Sequence, residues 1–322
     1  MNVLVVPTIR EECIHEFLNS WDEHILSKSC TEIVIVEDNP EQTFSLIDDD
    51  PLIHRYSWEE IDKELQDRAW VISRHDAAIK SFGFWKAYQM GADNIFVMDD
   101  DCLPVEGHDF IKDHLTNLNE TPRWIESVPG QRTRGIPYHN KGKMKNVVLS
   151  VGLWEGVPDF DSVYALGANP KIHIELPEHN RLVAAGQYYP MCGMNICFKR
   201  EITPLMYFPP MGDGQPFRRF DDIWCGIISK KIMDHLDYKV CIGKPFVHHK
   251  KASNVFSNLK KEAPGIVANE TFWEMIDNIP LAGQTPVECM DEIGVALSII
   301  DDEYFKKLGQ AIRTWTALFA NP

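Results

Sequence analysis

Three short apolar runs, two of which lead straight into acidic residues, constrain this chain more than any other feature. Val3-Leu4-Val5-Val6, Ile33-Val34-Ile35-Val36 and Ile95-Phe96-Val97-Met98 are apolar at every position and too short for helices. Runs without polar alternation predict strands buried on both faces, as in parallel sheets covered by helices. Helix signals fill the gaps. Over residues 13–26, Ile14, Phe17, Leu18, Trp21 and Ile25 share one helical face, and residues 76–90 read as a second helix closed by Gly91. The first run is expected to stop at Pro7. The second ends in Glu37-Asp38-Asn39-Pro40 and the third in Asp99-Asp100-Asp101. Ligands of open α/β sheets sit at the carboxyl ends of strands, so both acidic segments are candidate site residues.

From about residue 122 to 243 the chain is rich in Gly, Pro and aromatics, with weaker periodicity. This stretch is expected to carry a ligand site on loops and short strands. The tail from Thr285 is helical, with Tyr304, Phe305, Leu308, Ile312, Trp315 and Phe319 at helical spacing, and reads as a cap on the sheet. The expected division is a catalytic unit over residues 1–260 and a packed helical extension over 261–322. A length of 322 residues, 44% of them hydrophobic, suffices for one large core with a smaller appendage.

A net charge of −16 argues against broad nucleic-acid or anionic-membrane binding, while leaving room for a local basic pocket. No apolar run approaches the roughly 20 residues of a membrane span, and the first residues read as a strand rather than a leader. The eight cysteines, at positions 13, 30, 102, 192, 197, 225, 241 and 289, include no Cys-x-x-Cys pair. They are expected as free thiols in a reducing cytoplasm. A homo-oligomer is left open.

Three carboxylates directly after a buried strand are costly unless something positive meets them, and a hard divalent cation does so well. Asp99-Asp100-Asp101 fits that case. Asp48-Asp49-Asp50 has no β run before it and Pro51 after it, and reads as a solvated loop. His248-His249 follows the apolar Pro245-Phe246-Val247; the pair either completes a metal site or is a satisfied structural pair. Met191-Cys192-Gly193-Met194-Asn195 is a tight segment before a strand-like run. Met211-Gly212-Asp213-Gly214-Gln215-Pro216 is a turn holding a carboxylate, and Phe220-Asp221-Asp222-Ile223-Trp224 sets two acids beside aromatics. Such acids accept hydrogen bonds from sugar hydroxyls while a ring covers the C–H face. Asp221-Asp222 reads equally as a helix N-terminus, where acids meet the positive dipole end.

These segments, together with Val6-Pro7-Thr8-Ile9-Arg10, Gly152-Leu153-Trp154 and Lys251-Ala252-Ser253-Asn254, resemble the plant reversibly glycosylated polypeptides. Those proteins are UDP-arabinopyranose mutases of glycosyltransferase family 75. The matches are collinear from residue 3 to about 262. The resemblance implies a GT-A-like fold: a mixed, mostly parallel sheet flanked by helices. It implies a divalent metal, Mn2+ or Mg2+, held by Asp99 and Asp101 as the Asp-x-Asp acids and by His249 as third ligand. The family's glycosylated Arg in Arg-Gly-Tyr-Pro matches Arg134 in Arg134-Gly135-Ile136-Pro137. Nucleotide contacts are then expected from Pro7, Thr8, Arg10, Glu37, Asp38, Asp76, Lys80 and Asp100. Sugar contacts are expected from Trp154, Met194, Asn195, Asp213 and Asp222. Two departures fall near the substrate: plant members have Gln-Asp-Gly-Asp where this chain has Glu37-Asp38-Asn39-Pro40, and Lys141, Lys143 and Lys145 form a basic loop.

The resulting expectation is a pyranose–furanose mutase acting on a nucleoside-diphosphate sugar. No Gly-x-Gly-x-x-Gly follows the first strand, so no flavin is expected, and the chemistry runs through cleavage of the anomeric C–O bond. The metal and Lys80 stabilise the departing diphosphate, Asp221, Asp222 and Trp154 hold the sugar, and Arg134 is either a covalent acceptor or a cation. Transfer to an external acceptor and self-glycosylation are the alternatives. Guanine is favoured over uracil as the base, because Glu37 offers two acceptors to the N1–H and N2–H2 edge, with Trp58 and Trp70 widening the slot.

Overall fold

The structure, a computed structural model, describes residues 1–22, 25, 31–45, 50–128, 131, 133–157, 159–167, 177, 179–250 and 254–320. Asp48, Asp49, Cys30 and the segment Lys251-Ala252-Ser253 lie outside them. β1 (Asn2–Thr8), β2 (Thr31–Glu37), β3 (Ile53–Tyr56) and β4 (Asn94–Met98) form a parallel half-sheet in the order β3-β2-β1-β4. All three predicted strands are present. β1 runs through Pro7 rather than stopping there: β4 pairs only as far as Val5, so proline's missing N–H falls where β1 keeps a single partner.

The second half-sheet comes from β5 (Cys102–Pro104), β6 (Val147–Gly156), β7 (Arg181–Leu182), β8 (Asn195–Lys199) and β9 (Lys239–His249). The order continues β4-β8-β6-β9-β5, with β7 on β9. β8 runs antiparallel to both β4 and β6, and β5 and β7 run antiparallel to β9. Six of the nine described strands, β1 to β4, β6 and β9, therefore run in one direction, and the sheet is mixed and mostly parallel, as expected.

Side-chain alternation in β1, β2 and β4 feeds two cores. Leu4, Val6, Ile33, Ile35, Phe96 and Met98 pack under α1 (Glu11–Trp21) and α4 (Phe110–Glu120). Val3, Val5, Val34, Val36, Ile95 and Val97 face α2 (Trp58–Leu65) and α3 (Lys80–Gln89). The helix expected from residue 76 begins as a single 3-10 turn, Ala77–Ile79, because the Asp76 carboxylate accepts from the Ala78 N–H and caps it.

The remaining helices are α5 (Ser162–Gly167), α6 (Asp221–His235), α7 (Val255–Asp277), α8 (Pro286–Ser298) and α9 (Glu303–Thr316). The helical tail is two helices, opened by caps at Thr285 and Asp302. The division expected at 260/261 falls inside α7. Phe272, Ile293, Ile312 and Trp315 share one continuous core with the sheet. Trp224 of α6 stacks on Phe272 of α7 at 4.0 Å and 14° and lies near Phe305 of α9, so the C-terminal helices back the helix that carries Asp221 and Asp222.

Candidate active site

β1 and β4 deliver Thr8 and Asp99-Asp100-Asp101 to neighbouring strand ends. The Thr8 hydroxyl donates to Asp100 Oδ2 at 2.8 Å, and Arg10 Nη2 donates to Asp100 Oδ1 at 3.1 Å. Burial, with Asp99 and Asp101 adding repulsion, pushes the Asp100 carboxyl up to about 6, although Thr8 and Arg10 pull the other way. Asp101 faces His249, whose Nε2 lies 3.9 Å from Asp101 Oδ2. His249 Nδ1 is 2.9 Å from the Val157 carbonyl. A carbonyl only accepts, so Nδ1 donates to it and Nε2 is the ring nitrogen turned toward Asp101. Pairing of Cys102 with His249 in β5–β9 sets the two side by side.

Asp99 turns elsewhere. Its Oδ1 accepts from Lys80 Nζ at 2.7 Å, and Lys80, on the first turn of α3, is only 1% exposed. Burial works against the ammonium, but Asp99, then Asp221 and Asp222, outweigh it and raise its pKa. Lys80 Nζ also donates to the Gly193 carbonyl at 3.1 Å, while the Gly193 N–H donates to Asp222 Oδ2 at 2.9 Å. One glycine thus joins the Asp99 end of the site to the first turn of α6. A Cβ there would lie 2.8 Å from the Phe208 ring and 3.3 Å from Asp222 Cβ.

Asp221 is 4% exposed, and its Oδ2 finds no hydrogen-bond partner among the described residues. Burial raises both acids; Asp76 adds to Asp221, and Asp221 and Asp159 add to Asp222, while Lys80 lowers each. Two such groups, coupled to each other and to one cation, hold protons well above the usual carboxylate range. Asp159 joins them from the loop before α5, its Oδ2 accepting from the Cys192 thiol at 2.9 Å.

A family model described as reversibly glycosylated polypeptide matches residues 2–321. The chain belongs to the reversibly glycosylated polypeptide family. Relatives include the probable UDP-arabinopyranose mutase 1 of Solanum tuberosum, 32% identical over 97% of this chain and 88% of that protein. UDP-arabinopyranose mutase 1 of Arabidopsis thaliana is also 32% identical, over 97% of this chain and 90% of its own. Among solved structures, the chain is similar to S. aureus TarS 1-349 in complex with UDP-GlcNAc, with TM-score 0.48, 13% identity and coverage of 95% and 69%. It is also similar to Mycobacterium tuberculosis glucosyl-3-phosphoglycerate synthase with Mn2+, UDP and phosphoglyceric acid, with TM-score 0.48, 14% identity and coverage of 88% and 80%. The mixed sheet with helices on both faces is the GT-A-like architecture that family membership implies.

For this family member the structure brings together Pro7, Thr8, Arg10, Asp99, Asp100, Asp101, Lys80, Asp221, Asp222 and His249 around adjoining strand and helix ends. Among the described residues no group of three or more His, Cys, Asp or Glu side chains forms a metal shell: Asp101 and His249 face each other, but Asp99 is taken by Lys80.

Other expected residues sit differently. Glu37 is fully buried, its Oε1 accepting from Arg55 at 2.8 Å and its Oε2 from the Thr43 N–H at 2.9 Å, so no free edge remains to read a base. Asp38 instead accepts from Trp58 Nε1 at 2.8 Å, beside His75. Asp76 accepts from Ser73, Ala78 and Met211 and ties two loops together rather than standing free for a nucleotide. Asn195 is fully buried: its amide donates to the Leu153 and Pro245 carbonyls and its Oδ1 meets His114, which turns the expected sugar contact into a core bond. Met194 is 5% exposed in the core beneath it. Asp213 is exposed and paired with Arg218. Trp154 is half-buried, edge-on to Phe160 at 5.6 Å. Arg134 is exposed beside Gly135, and Trp70 is 43% exposed, lining surface grooves.

Sequence reasoning missed Asp159 and Glu262. Neither follows a buried strand nor sits in a motif with recognisable spacing; only the fold carries them to α6. Gly193 lay within a segment already singled out, but its role as a link depends on the Lys80 and Asp222 contacts.

Proposed function

We propose that this protein is a mutase that interconverts the pyranose and furanose forms of a UDP-linked sugar without an external acceptor. The observation that carries this reading is the Lys80–Gly193–Asp222 link, which sets a buried cation and two proton-holding acids on either side of one backbone residue. The names of the plant relatives support UDP as the carrier. The guanine expectation loses its basis, because Arg55 and Thr43 occupy Glu37. Asp38, with Trp58 and His75, offers a base slot, and Thr8, Arg10 and Asp100 line the path toward the diphosphate.

The residues present suit a divalent cation such as Mn2+ or Mg2+. Asp101 and His249 Nε2 face each other 3.9 Å apart, an oxygen and a nitrogen donor of the kind such a cation takes. Asp101 and His249, with Asp99 adjacent, would hold it, and when bound it supplies positive charge against the diphosphate. Lys80 stays protonated and offsets the charge left on the diphosphate when its oxygen takes the electron pair of the anomeric C–O bond.

Ring exchange then needs two proton movements. The hydroxyl oxygen that attacks the anomeric carbon loses a proton, the ring oxygen that releases it gains one, and the diphosphate oxygen then re-forms its bond to the anomeric carbon. Asp221 and Asp222 titrate near neutrality as a coupled pair, so one, ionised, accepts while the other, protonated, donates. Trp154 and Phe160 cover a face of the sugar. Arg134, always charged, serves the diphosphate as a cation better than the sugar as a nucleophile. The seven described cysteines are free thiols, which supports a cytoplasmic setting.

The test is to incubate the protein with UDP- and GDP-linked pyranoses and Mn2+, then separate pyranose from furanose forms chromatographically. Isomerisation of a UDP-sugar with no acceptor added, lost on chelation and restored by Mn2+, is the expected result. Sugar transferred only to an added acceptor, or one sugar fixed per chain without turnover, overturns the mutase reading. Full activity after exhaustive chelation overturns the metal.

A further inference from the structure

We infer that Glu262 is a positioning residue that assembles the sugar end of the site, by joining the loop that carries Asp159 to the segment that leads into Asp221 and Asp222 of α6. This rests on the functional reading above. Glu262 lies on α7 and is 5% exposed. Its Oε2 accepts from both the backbone N–H of Ser162 at 2.8 Å and the Ser162 hydroxyl at 2.6 Å. Its Oε1 accepts from Arg219 Nε at 2.8 Å. Burial disfavours the carboxylate, but the bonds from Ser162 and Arg219 win and its pKa is lowered, so it stays ionised.

Each contact leads to a site residue. Ser162 closes the loop of Asp159, whose carboxylate takes the Cys192 thiol, and of Phe160, whose ring meets Trp154. Arg219 holds φ at +62°, a left-handed conformation that a non-glycine residue adopts only at a cost, and it immediately precedes Phe220, Asp221 and Asp222. The bond from Arg219 Nε to Glu262 helps hold that conformation, so the approach angle of the chain into α6 depends on it. The same helix presses on this loop again one turn later: a Cβ on Gly265 would lie 2.5 Å from the Phe220 ring. The loop bearing Asp159 and the segment leading into Asp221 and Asp222 of α6 thus meet on a single buried anion. None of its bonds reaches the Thr8, Asp38 and Asp100 half of the site.

Glu262→Gln keeps the volume and removes the charge. An amide also turns a donor toward either Ser162 or Arg219, both of which donate. The experiment measures kcat, KM and, by calorimetry, the affinities for UDP and for the UDP-sugar. Expected is at least a tenfold fall in kcat and a loss of the affinity difference between UDP-sugar and UDP, with UDP affinity within twofold of wild type. Arg219→Gly, which adopts the left-handed φ freely, should restore part of kcat when combined with Glu262→Gln. Ser162→Ala should reproduce part of the loss. Unchanged kcat and sugar-dependent affinity in Glu262→Gln overturn the inference, as does a parallel loss of UDP affinity, which marks a merely structural role. Wild-type protein that isomerises nothing sinks the functional reading instead; the affinity comparison still decides the role of Glu262.

Discussion

Replacing Lys80 with Met removes a buried ammonium while keeping most of its hydrocarbon stem. Two bonds disappear, to Asp99 at 2.7 Å and to the Gly193 carbonyl at 3.1 Å. Hydrogen bonds involving a charged group contribute about 1.5–3 kcal/mol each. Breaking a fully buried ion pair costs roughly 3–5 kcal/mol, but the Asp99 side chain keeps 31% of its exposure, so water relieves part of that. The balance is about 3 kcal/mol of stability, or on the order of 6 °C in Tm at about 2 °C per kcal/mol for a domain of this size. If Lys80 also meets charge developing on the diphosphate, kcat should fall about 100- to 1,000-fold, the usual loss for one preorganised donor. Scanning calorimetry and a product assay on the same preparation read both quantities. The ammonium's pKa is raised, so its stabilising contribution is complete below the unfolded-state value of about 10.4 and is lost only as pH rises beyond it. The wild-type minus Lys80→Met difference in Tm should therefore not shrink from pH 6 to 9, and should grow as pH rises through the range where Asp221 and Asp222 ionise, because the variant lacks the charge that lowers them. A variant with unchanged Tm and kcat within threefold of wild type would refute both the burial argument and the catalytic role.

Three further outcomes follow from single contacts. Glu37→Gln should weaken the fold by about 1–3 kcal/mol through its bonds to Arg55 and Thr43, leaving the ratio of UDP to GDP affinity unchanged by calorimetry; an altered ratio would return Glu37 to the base site. Gly152→Ala should cost about 2–4 kcal/mol in urea unfolding, because its Cβ would lie 2.3 Å from the Asn195 amide, and a loss below 0.5 kcal/mol would contradict that packing. The raised Asp221 and Asp222 stabilise the fold only at pH values below the ordinary Asp range, and that contribution is lost as pH rises through their elevated native values. Their protonated forms thin out over the same interval, so kcat should decline on the alkaline side of neutrality. A decline that persists unaltered in an Asp222→Asn variant retaining activity points to another group.

The parallel half of the sheet was legible because burial on both faces leaves a local mark: β1, β2 and β4 are apolar without alternation. The other half was not. β6 and β9 mix buried and half-buried positions along strands of 10 and 11 residues, interrupted by a register shift between Gly152 and Leu153. The long helix α7 contains Pro264 and Gly265, which weaken any helix signal in the sequence, yet the glycine is where the helix meets Phe220. Acids were the readable part of the site, since residues such as Asp99 and Asp222 announce a charge that must be met. Their partners were harder. Whether a carboxylate faces a ligand or an internal cation depends on distant chain, as Arg55 shows for Glu37 and Lys80 for Asp99. Asn195 misled for the same reason: its motif marks a close approach, but one to the backbone of β6 and β9.

Gly193 gives the site a ruler made of backbone. The ammonium and the acid at its two ends are spaced by the N–H and C=O of one residue rather than by flexible side chains, and Phe208 leaves no room for the spacer to grow. The gap between the departing group and the proton-handling acids is therefore built to one length. Changes in the sugar must be absorbed on the far side, where Trp154, Phe160 and the loop of Asp159 lie. A family constructed on such a ruler can diversify the ring it rearranges while keeping the bond it breaks in register.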